Sequence, residues 1–190
     1  MKSTVDIIQK QIEDLAKETG YVWFLESHTK KVLEHAKWLC ERLPEADREV
    51  VELSVWLHDI FYFIDFSRHE EHAVLGAEEA SRRLRDLKIS EETIAKVADA
   101  IRCHSCKEEV PATVEAKILA TADAMIHFDP YFFLSLVMSA GIVERLGVEG
   151  FRKHALKKLD KDISEKKMFF DFARERVYKD YLELKTFFGN

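Results

Sequence analysis

Residues 52–63 read ELSVWLHDIFYF, an apolar, helix-like run that reaches an adjacent His58–Asp59 pair and continues into aromatic side chains. Burying an imidazole beside a carboxylate costs free energy unless each group has a partner. A divalent cation would satisfy both groups at once. The other histidines and aspartates of the chain therefore matter most where they fall on buried helix faces.

Four further residues of this kind lie on or beside the apolar stripe of segments with helical periodicity. They are His28, His72, His104 and Asp123. The order along the chain is then His, His-Asp, His, His, Asp. Several uncompensated buried polar groups would together cost several kcal/mol, and a shared cation removes this cost. The pattern predicts that these residues converge on one metal site.

The composition predicts an all-α protein. The chain has 190 residues, 47% of them apolar, with only six glycines and three prolines, which favours long helices over a turn-rich β architecture. A chain of this length typically forms one domain. We predict a single domain over residues 1–190, with a motif-bearing helical core at about 21–128 and additional C-terminal helices over 130–190.

Caps and breakers predict where the helices begin and end. The predicted starts are Ser3 or Thr4, Tyr21 or Val22, Ala46, Glu70 or Glu71, Ser90 and Pro111, followed by two or three helices between Tyr131 and Asn190. The first helix should end at Gly20, the second at Leu43, and the third at Ile60 with the His58–Asp59 pair in its last turn. Gly76 predicts a close helix crossing one turn after His72.

Charge and cysteine content restrict the class of protein. A net charge of −6 argues against binding to nucleic-acid polymers, which requires a basic surface. An odd, low cysteine count without a signal peptide predicts a cytoplasmic protein. The apolar run at residues 131–143 is too short to cross a membrane. The single Cys103-x-x-Cys106 motif supplies only two thiolates, too few for a structural zinc site.

Five short motifs, in this order, resemble the HD superfamily of metal-dependent phosphohydrolases. They are HTKKV from His28, LHDI from Leu57, HAVLGA from His72, AIRCH from Ala100 and ATADA from Ala120. They span residues 27–125, and the C-terminal third carries no such motif. The resemblance implies an all-α, HD-domain-like helical bundle, with additional helices at the C-terminus.

The resemblance also implies roles for individual residues. The first metal would be held by His28, His58, Asp59 and Asp123. His72 and His104 correspond to the extra histidines of two-metal members, in which Asp59 would bridge both ions; His69 is the rival to His72. One or two divalent ions are implied, and ligand type does not choose among Mn, Fe, Ni, Mg and Zn.

The implied activity is hydrolysis of a phosphoester or phosphoanhydride of a small molecule, such as a nucleotide, by metal-activated water. Lys31 follows the first histidine where relatives often carry a basic residue, and is the candidate phosphate clamp; a solvated surface lysine is the alternative. Some subfamilies place a general acid shortly after the His-Asp pair, but here the nearest carboxylate is Asp65. This departure puts the guanosine-tetraphosphate hydrolase and nucleotidase subgroups in doubt.

Two other functions remain open. HD-type di-iron oxygenases share the same order of ligands, and a non-catalytic, metal-stabilised binding module could retain the site for folding. The phenylalanine-rich C-terminal helices could form a homodimer contact or complete the core.

Overall fold

The computed structural model describes residues 2–139 and 141–189, so Met1, Ala140 and Asn190, which our domain and helix predictions include, lie outside the described residues. The α-helices are α1 Thr4–Thr19, α2 Val22–Phe24, α3 Lys30–Cys40, α4 Arg48–Leu57, α5 Ile60–Ile64, α6 His72–Asp86, α7 Glu91–Cys103, α8 Val114–Ile126, α9 Pro130–Ser139, α10 Ile142–Asp162 and α11 Asp171–Gly189. A π-helical turn, Leu25–Thr29, joins α2 to α3, and a 3₁₀ turn, Phe66–Glu71, precedes α6. The described residues contain no β-strand, which confirms the all-α prediction.

Several helix ends follow the predicted local signals. The Ser3 hydroxyl accepts a hydrogen bond from the Asp6 backbone N–H and caps α1, and Gly20 ends this helix with a left-handed φ of 81°. Ser90 caps α7 in the same way. The sixth predicted helix starts later than expected, because Thr113 rather than Pro111 provides the cap that begins α8. A hydroxyl that accepts an orphan N–H defines the helix start better than a proline nearby.

The second and third predicted helices are interrupted where the candidate ligands lie. The segment from Val22 contains the π-helical turn around His28 before it continues as α3 and ends at Cys40, three residues before the predicted end. Helix α4 ends at Leu57, so the prediction that His58 and Asp59 form its last turn is wrong. These two residues make a turn between α4 and α5, with Asp59 at φ −112° and ψ 22° outside the helical region.

The core forms where the apolar stripes of the helices meet. Helix α4 is buried around most of its circumference, from Val50 to Leu57, and packs against α1, α3, α7 and α8. Helices α6 and α7 pack together along one flank, and α10 packs on α11. Buried residues from Ile8 to Phe188 belong to one hydrophobic cluster. The assignment of residues 1–190 to a single domain stays a prediction.

Gly76 allows the close approach of α6 to the turn that carries His58. A Cβ atom added at Gly76 would lie 3.1 Å from the His58 carbonyl oxygen and 3.6 Å from Ile101 Cγ2. The first neighbour is a backbone atom and cannot rotate away. The predicted close helix crossing at Gly76 is therefore confirmed.

We expect Gly76→Ala to destabilise the protein by about 1–3 kcal/mol, as overpacked sites do, despite the roughly 0.8–1.0 kcal/mol that alanine gains over glycine inside a helix. Because the added methyl group would push α6 away from His58, the variant should also bind divalent metal more weakly. Urea unfolding and metal titration measure both effects. Glu78→Ala on the exposed side of α6 is the control; a Gly76→Ala variant at least as stable as wild type would contradict the close packing.

Within residues 2–139 and 141–189, no helix combines the length and apolarity that a bilayer span requires. Exposed apolar side chains of α9 and α11, including Tyr131, Leu134 and Phe187, line a groove between these helices. The predicted homodimer contact would use this face, and it stays a prediction.

Candidate metal centre

Three of the candidate histidines share one local arrangement. In each, ring Nδ1 donates a hydrogen bond of 2.6–2.7 Å to the backbone carbonyl three residues earlier. The pairs are His58 with Val55, His72 with His69, and His104 with Ile101. All three rings lie at or next to a helix end, His58 and His104 directly after α4 and α7 and His72 as the first residue of α6. A neutral imidazole with its proton on Nδ1 presents the lone pair of Nε2 to a metal.

The Nε2 atoms of these three rings and of His28 converge on Asp59, whose two oxygens face different pairs of rings. Asp59 Oδ2 lies 3.1 Å from His28 Nε2 and 3.3 Å from His58 Nε2. Asp59 Oδ1 lies 3.6 Å from His72 Nε2 and 3.8 Å from His104 Nε2. All five side chains are buried. The structure therefore brings together residues from four separate parts of the chain around one carboxylate.

The π-helical turn positions His28. In this turn the Lys30 backbone N–H donates a hydrogen bond to the Leu25 carbonyl, five residues earlier. The turn therefore contains one residue more than a turn of regular α-helix, in which the bond spans four residues. Such turns occur frequently at functional sites. The His28 ring stacks on Phe24 with ring centroids 4.8 Å apart. On the other side, Asp123 from α8 places its Oδ1 3.4 Å from His28 Nε2.

The donor set fits a divalent cation. Three groups each have candidate ligand atoms within 4.8 Å of one another: His28 with His58 and Asp59, Asp59 with His72 and His104, and His28 with Asp123 and His127. His28 and His58 bring their Nε2 atoms to 3.2 Å, and His72 and His104 bring theirs to 3.3 Å. Among the described residues, the buried Asp59 Oδ1 has no hydrogen-bond partner. Imidazole nitrogen and carboxylate oxygen are ligands that Zn, Fe, Ni and Mn share.

The charges of the cluster depend on one another. Burial opposes protonation of His58, but the Asp59 carboxylate outweighs this effect and raises the pKa of His58 to about 9. Burial likewise opposes ionisation of Asp59, yet His58 and His28 hold the pKa of that carboxyl well below its usual range. Burial and the neighbouring His58 lower the pKa of His104 to about 3. Without a metal, a proton on His58 is therefore favoured, and a cation bound there would have to displace it.

Lys167 and Asp162 extend the cluster beyond the predicted residues. Lys167 is only 4% exposed, and its Nζ lies 2.6 Å from Asp123 Oδ2 and 3.9 Å from Asp162 Oδ1. The segment that carries Lys167 is fixed to α8, because the Phe169 backbone N–H donates to the Thr121 hydroxyl. Burial opposes the charge on Lys167, but Asp123 more than offsets it and raises the pKa of the lysine. Asp123 therefore has one oxygen on Lys167 and the other toward His28.

His127 lies closer to the cluster than the sequence predicted. Our set of six predicted ligands left out His35, His69, His127 and His154, but a ring nitrogen of His127 is grouped with His28 and Asp123. Its Nδ1 lies 2.8 Å from Asp162 Oδ2. His127 directly follows α8, so its position four residues after Asp123 on the same helix face was the available signal.

A cavity of about 510 Å³ opens onto the cluster. Its aromatic lining comes from α2, α5, the 3₁₀ turn and α9. Its basic lining comes mainly from α10, with further residues from the loop after α7 and the segment after α10. The aromatic residues are Trp23, Phe24, Tyr62, Phe66 and Phe132, and the basic ones are Lys107, Arg145, Lys157, Lys158, Lys161 and Lys167, with His69 and His154. Of the aromatic residues that follow the His-Asp pair, Tyr62 lines the cavity, whereas Phe63 is buried in the core.

The structure does not bring Lys31 to this cavity. Its ammonium pairs with Glu34 at 2.9 and 3.0 Å on the surface of α3, and it is not among the lining residues described. The geometry supports the alternative that we left open, a solvated surface lysine, and the phosphate clamp at Lys31 stays a prediction. Asp65 is also absent from the described lining, because its carboxylate accepts hydrogen bonds from Ser67 and caps the 3₁₀ turn.

Comparison with protein families gives one match. A family model described as HD domain matches residues 25–126, more than half of the chain. The match contains all six predicted ligands, from His28 to Asp123, and ends before His127, α10 and Lys167. Comparisons with curated proteins and with solved structures found no match.

Proposed function

This chain belongs to the HD domain family, and from this premise we propose that it is a metal-dependent phosphohydrolase. The proposed reaction is hydrolysis of a phosphoester or phosphoanhydride bond of a small molecule such as a nucleotide. The family consists mostly of metal-dependent hydrolases, which supports the general class. The substrate and the type of bond are proposed from the site itself.

The arrangement around Asp59 is the observation that carries the proposal. Two buried histidine pairs face the two oxygens of one carboxylate, His28 with His58 and His72 with His104. A single cation needs only one of these pairs. We therefore propose two divalent ions per chain, with Asp59 as the shared ligand, Asp123 as a further ligand of the His28 ion, and His127 as an additional candidate.

The proposed chemistry divides between the metal and the protein. A divalent cation bound here would supply Lewis-acid chemistry, lowering the pKa of water and offsetting negative charge on a phosphoryl group. The protein fixes the three Nδ1-bonded rings so that their lone pairs need no reorganisation. Trp23, Phe24 and Tyr62 line the cavity with apolar surface, which excludes water and offers a face on which a base could stack.

The basic lining favours an anionic, phosphorylated substrate over the neutral polyol of one oxygenase alternative, and the anaerobic assay below separates the phosphonate case. Although the chain carries a net charge of −6, six lysine and arginine side chains line this cavity. Local positive charge attracts phosphate regardless of the overall charge of the protein. A polyol substrate of a di-iron oxygenase would gain little from such a surface.

The test is release of hydrolysis products (phosphate, pyrophosphate, or the alcohol and monoester of a diester) by metal-reconstituted protein from a panel of phosphomonoesters, phosphodiesters and nucleotides, under anaerobic conditions. We expect release that depends on added Mn, Fe, Ni, Mg or Zn and is lost with a chelator. Oxygen consumption on a polyol or phosphonate by the iron-loaded protein, without phosphoester hydrolysis, would establish the oxygenase instead. Metal binding without turnover on any substrate would establish the binding module.

A further inference from the structure

One face of α10 presents a row of basic side chains to the cavity. His154, Lys157, Lys158 and Lys161 are spaced by three, four and seven residues, so they share a face of the helix, and all four line the cavity. The buried stripe of the same helix is formed by other residues, namely Phe151, Ala155 and Leu159. The packing of this buried stripe therefore directs the basic face to the cavity, where His154, Lys157 and Lys161 are exposed.

Protein carboxylates do not balance these charges. Lys158 lies 3.4 Å from Asp162, but Asp162 is shared with His127 and Lys167. Lys161 reaches only a neutral partner, the backbone carbonyl of Ser105, at 3.4 Å.

Lys157, Lys107 and Arg145 also line the cavity, and within the described parts of the chain none of them has a carboxylate partner within 4.0 Å. The one nearby carboxylate on the outer side of α10, Asp160, is bound by Lys185 and Tyr181 instead. An excess of positive charge therefore faces the cavity.

The excess charge is unfavourable in the free protein. Like charges three or four residues apart on a helix, such as Lys157 with Lys161 and Lys158 with Lys161, destabilise that helix by a few tenths of a kcal/mol per pair. Burial and the neighbouring Lys167 and Lys158 lower the pKa of Lys161. A bound anion removes this repulsion, so the surface is better suited to the complex than to the free protein.

The row begins beside the metal centre and extends away from it. Lys161 contacts the residue that follows His104, and His154 lies seven residues earlier on α10, which a rise of 1.5 Å per residue converts to about 10 Å along the helix. A single phosphate at the histidine–aspartate cluster cannot contact the whole row. The part of the row farther from the metal centre is therefore available to bind a second anionic group.

We propose that this face of α10 binds a second phosphate group of the substrate. The substrate class is then a small molecule with two or more phosphates, either in a phosphoanhydride chain or at separate positions. This inference rests on the proposed function for the position of the first phosphate. The subsite itself is formed by Lys157 and Lys161, with Lys158 and Arg145 beside them, and all four residues lie outside the segment that matches the HD domain.

The test is calorimetric titration of the full-length, chelator-treated protein with inorganic tripolyphosphate and with orthophosphate. Omitting metal separates the subsite from the metal centre and from turnover. The test variants are Lys157→Gln and the double variant Lys157→Gln/Lys161→Gln. The matched control is Lys153→Gln, which removes the same charge from α10 at an exposed position paired with Glu149.

We expect tripolyphosphate to bind wild type more tightly than orthophosphate. The double variant should raise its Kd by about tenfold or more, since two charge-assisted contacts are lost, with a smaller rise for Lys157→Gln and a change below about twofold for Lys153→Gln. Lys157 is exposed, so its single variant stays informative if the double variant unfolds. No binding to wild type, or equal Kd values for wild type and Lys157→Gln, would overturn the proposal.

Two further outcomes separate the inference from the proposed function. A nucleoside 3′,5′-bisphosphate that binds in the same lysine-dependent way would place the two phosphates at separate positions, whereas preference for tripolyphosphate would favour a phosphate chain; both outcomes support the subsite. Lysine-dependent binding by a protein that hydrolyses nothing when metal-loaded would refute the phosphohydrolase while leaving the anion subsite intact. Hydrolysis by the metal-loaded protein, together with equal Kd values for tripolyphosphate in wild type and the lysine variants, would support the phosphohydrolase and refute the anion subsite.

Discussion

We expect Asp59→Ala to remove all bound divalent metal and to abolish substrate hydrolysis, and His104→Ala to remove only one ion of two. The difference follows from the geometry, because Asp59 contacts the His28–His58 pair with Oδ2 and the His72–His104 pair with Oδ1. Loss of a shared ligand affects both ions, and loss of one histidine affects one. Elemental analysis of purified, metal-reconstituted variants measures the number of ions per chain.

His69→Ala is the matched control for this experiment. His69 lines the same cavity, and its backbone carbonyl, which the substitution retains, accepts the hydrogen bond from His72. We expect His69→Ala to keep the full metal content. If Asp59→Ala and His104→Ala lost the same number of ions, Asp59 would not be a shared ligand and the two-ion proposal would fail.

Lys167→Met should destabilise the metal-free protein by about 3–5 kcal/mol, the usual cost of removing one partner from a buried ion pair. Two buried carboxylates, Asp123 and Asp162, would lose the ammonium group between them. The pKa of Lys167 is raised in the folded protein. Its contribution to the free energy of unfolding is therefore fully present below the pKa of lysine in the unfolded chain, and is lost only as the pH rises above that value. The full effect is therefore expected at pH 7.

Bound metal should reduce the cost of Lys167→Met, because a cation beside Asp123 replaces part of the lost charge. Urea unfolding with chelator and with metal measures both values. Lys166→Met, at the exposed neighbouring position, should change the free energy of unfolding by less than about 0.5 kcal/mol. If Lys166→Met and Lys167→Met lowered the free energy of unfolding by the same small amount in chelator, the Asp123–Lys167 pair would not stabilise the protein.

The sequence predicted the helices well because their signals are local. Serine caps at Ser3 and Ser90 and a left-handed glycine at Gly20 define helix ends without help from the rest of the fold. The errors occur at His28 and at His58–Asp59, where the chain departs from regular α-helix. A π-helical turn and a break after Leu57 both depend on tertiary contacts around the cluster, which periodicity does not detect.

The sequence predicted one part of the candidate site, the six ligands, and missed another part. Buried histidines on apolar stripes are visible in the sequence, and the structure brings all six predicted ligands together. Their role in metal binding stays a proposal. Lys167 and the basic face of α10 were missed, because the run SEKKM at residues 164–168 and the lysines of α10 resemble ordinary solvated positions. Only the three-dimensional packing distinguishes the buried Lys167 from the exposed Lys166 beside it.

Anomalous diffraction at the zinc absorption edge, from crystals of the zinc-loaded protein, tests the metal centre most directly. We predict two peaks that flank Asp59, each about 2.0–2.2 Å from a carboxylate oxygen and from histidine Nε2 atoms. One peak should lie beside His28 and His58, and the other beside His72 and His104. Zinc bound only elsewhere, or no zinc at Asp59, would contradict the account.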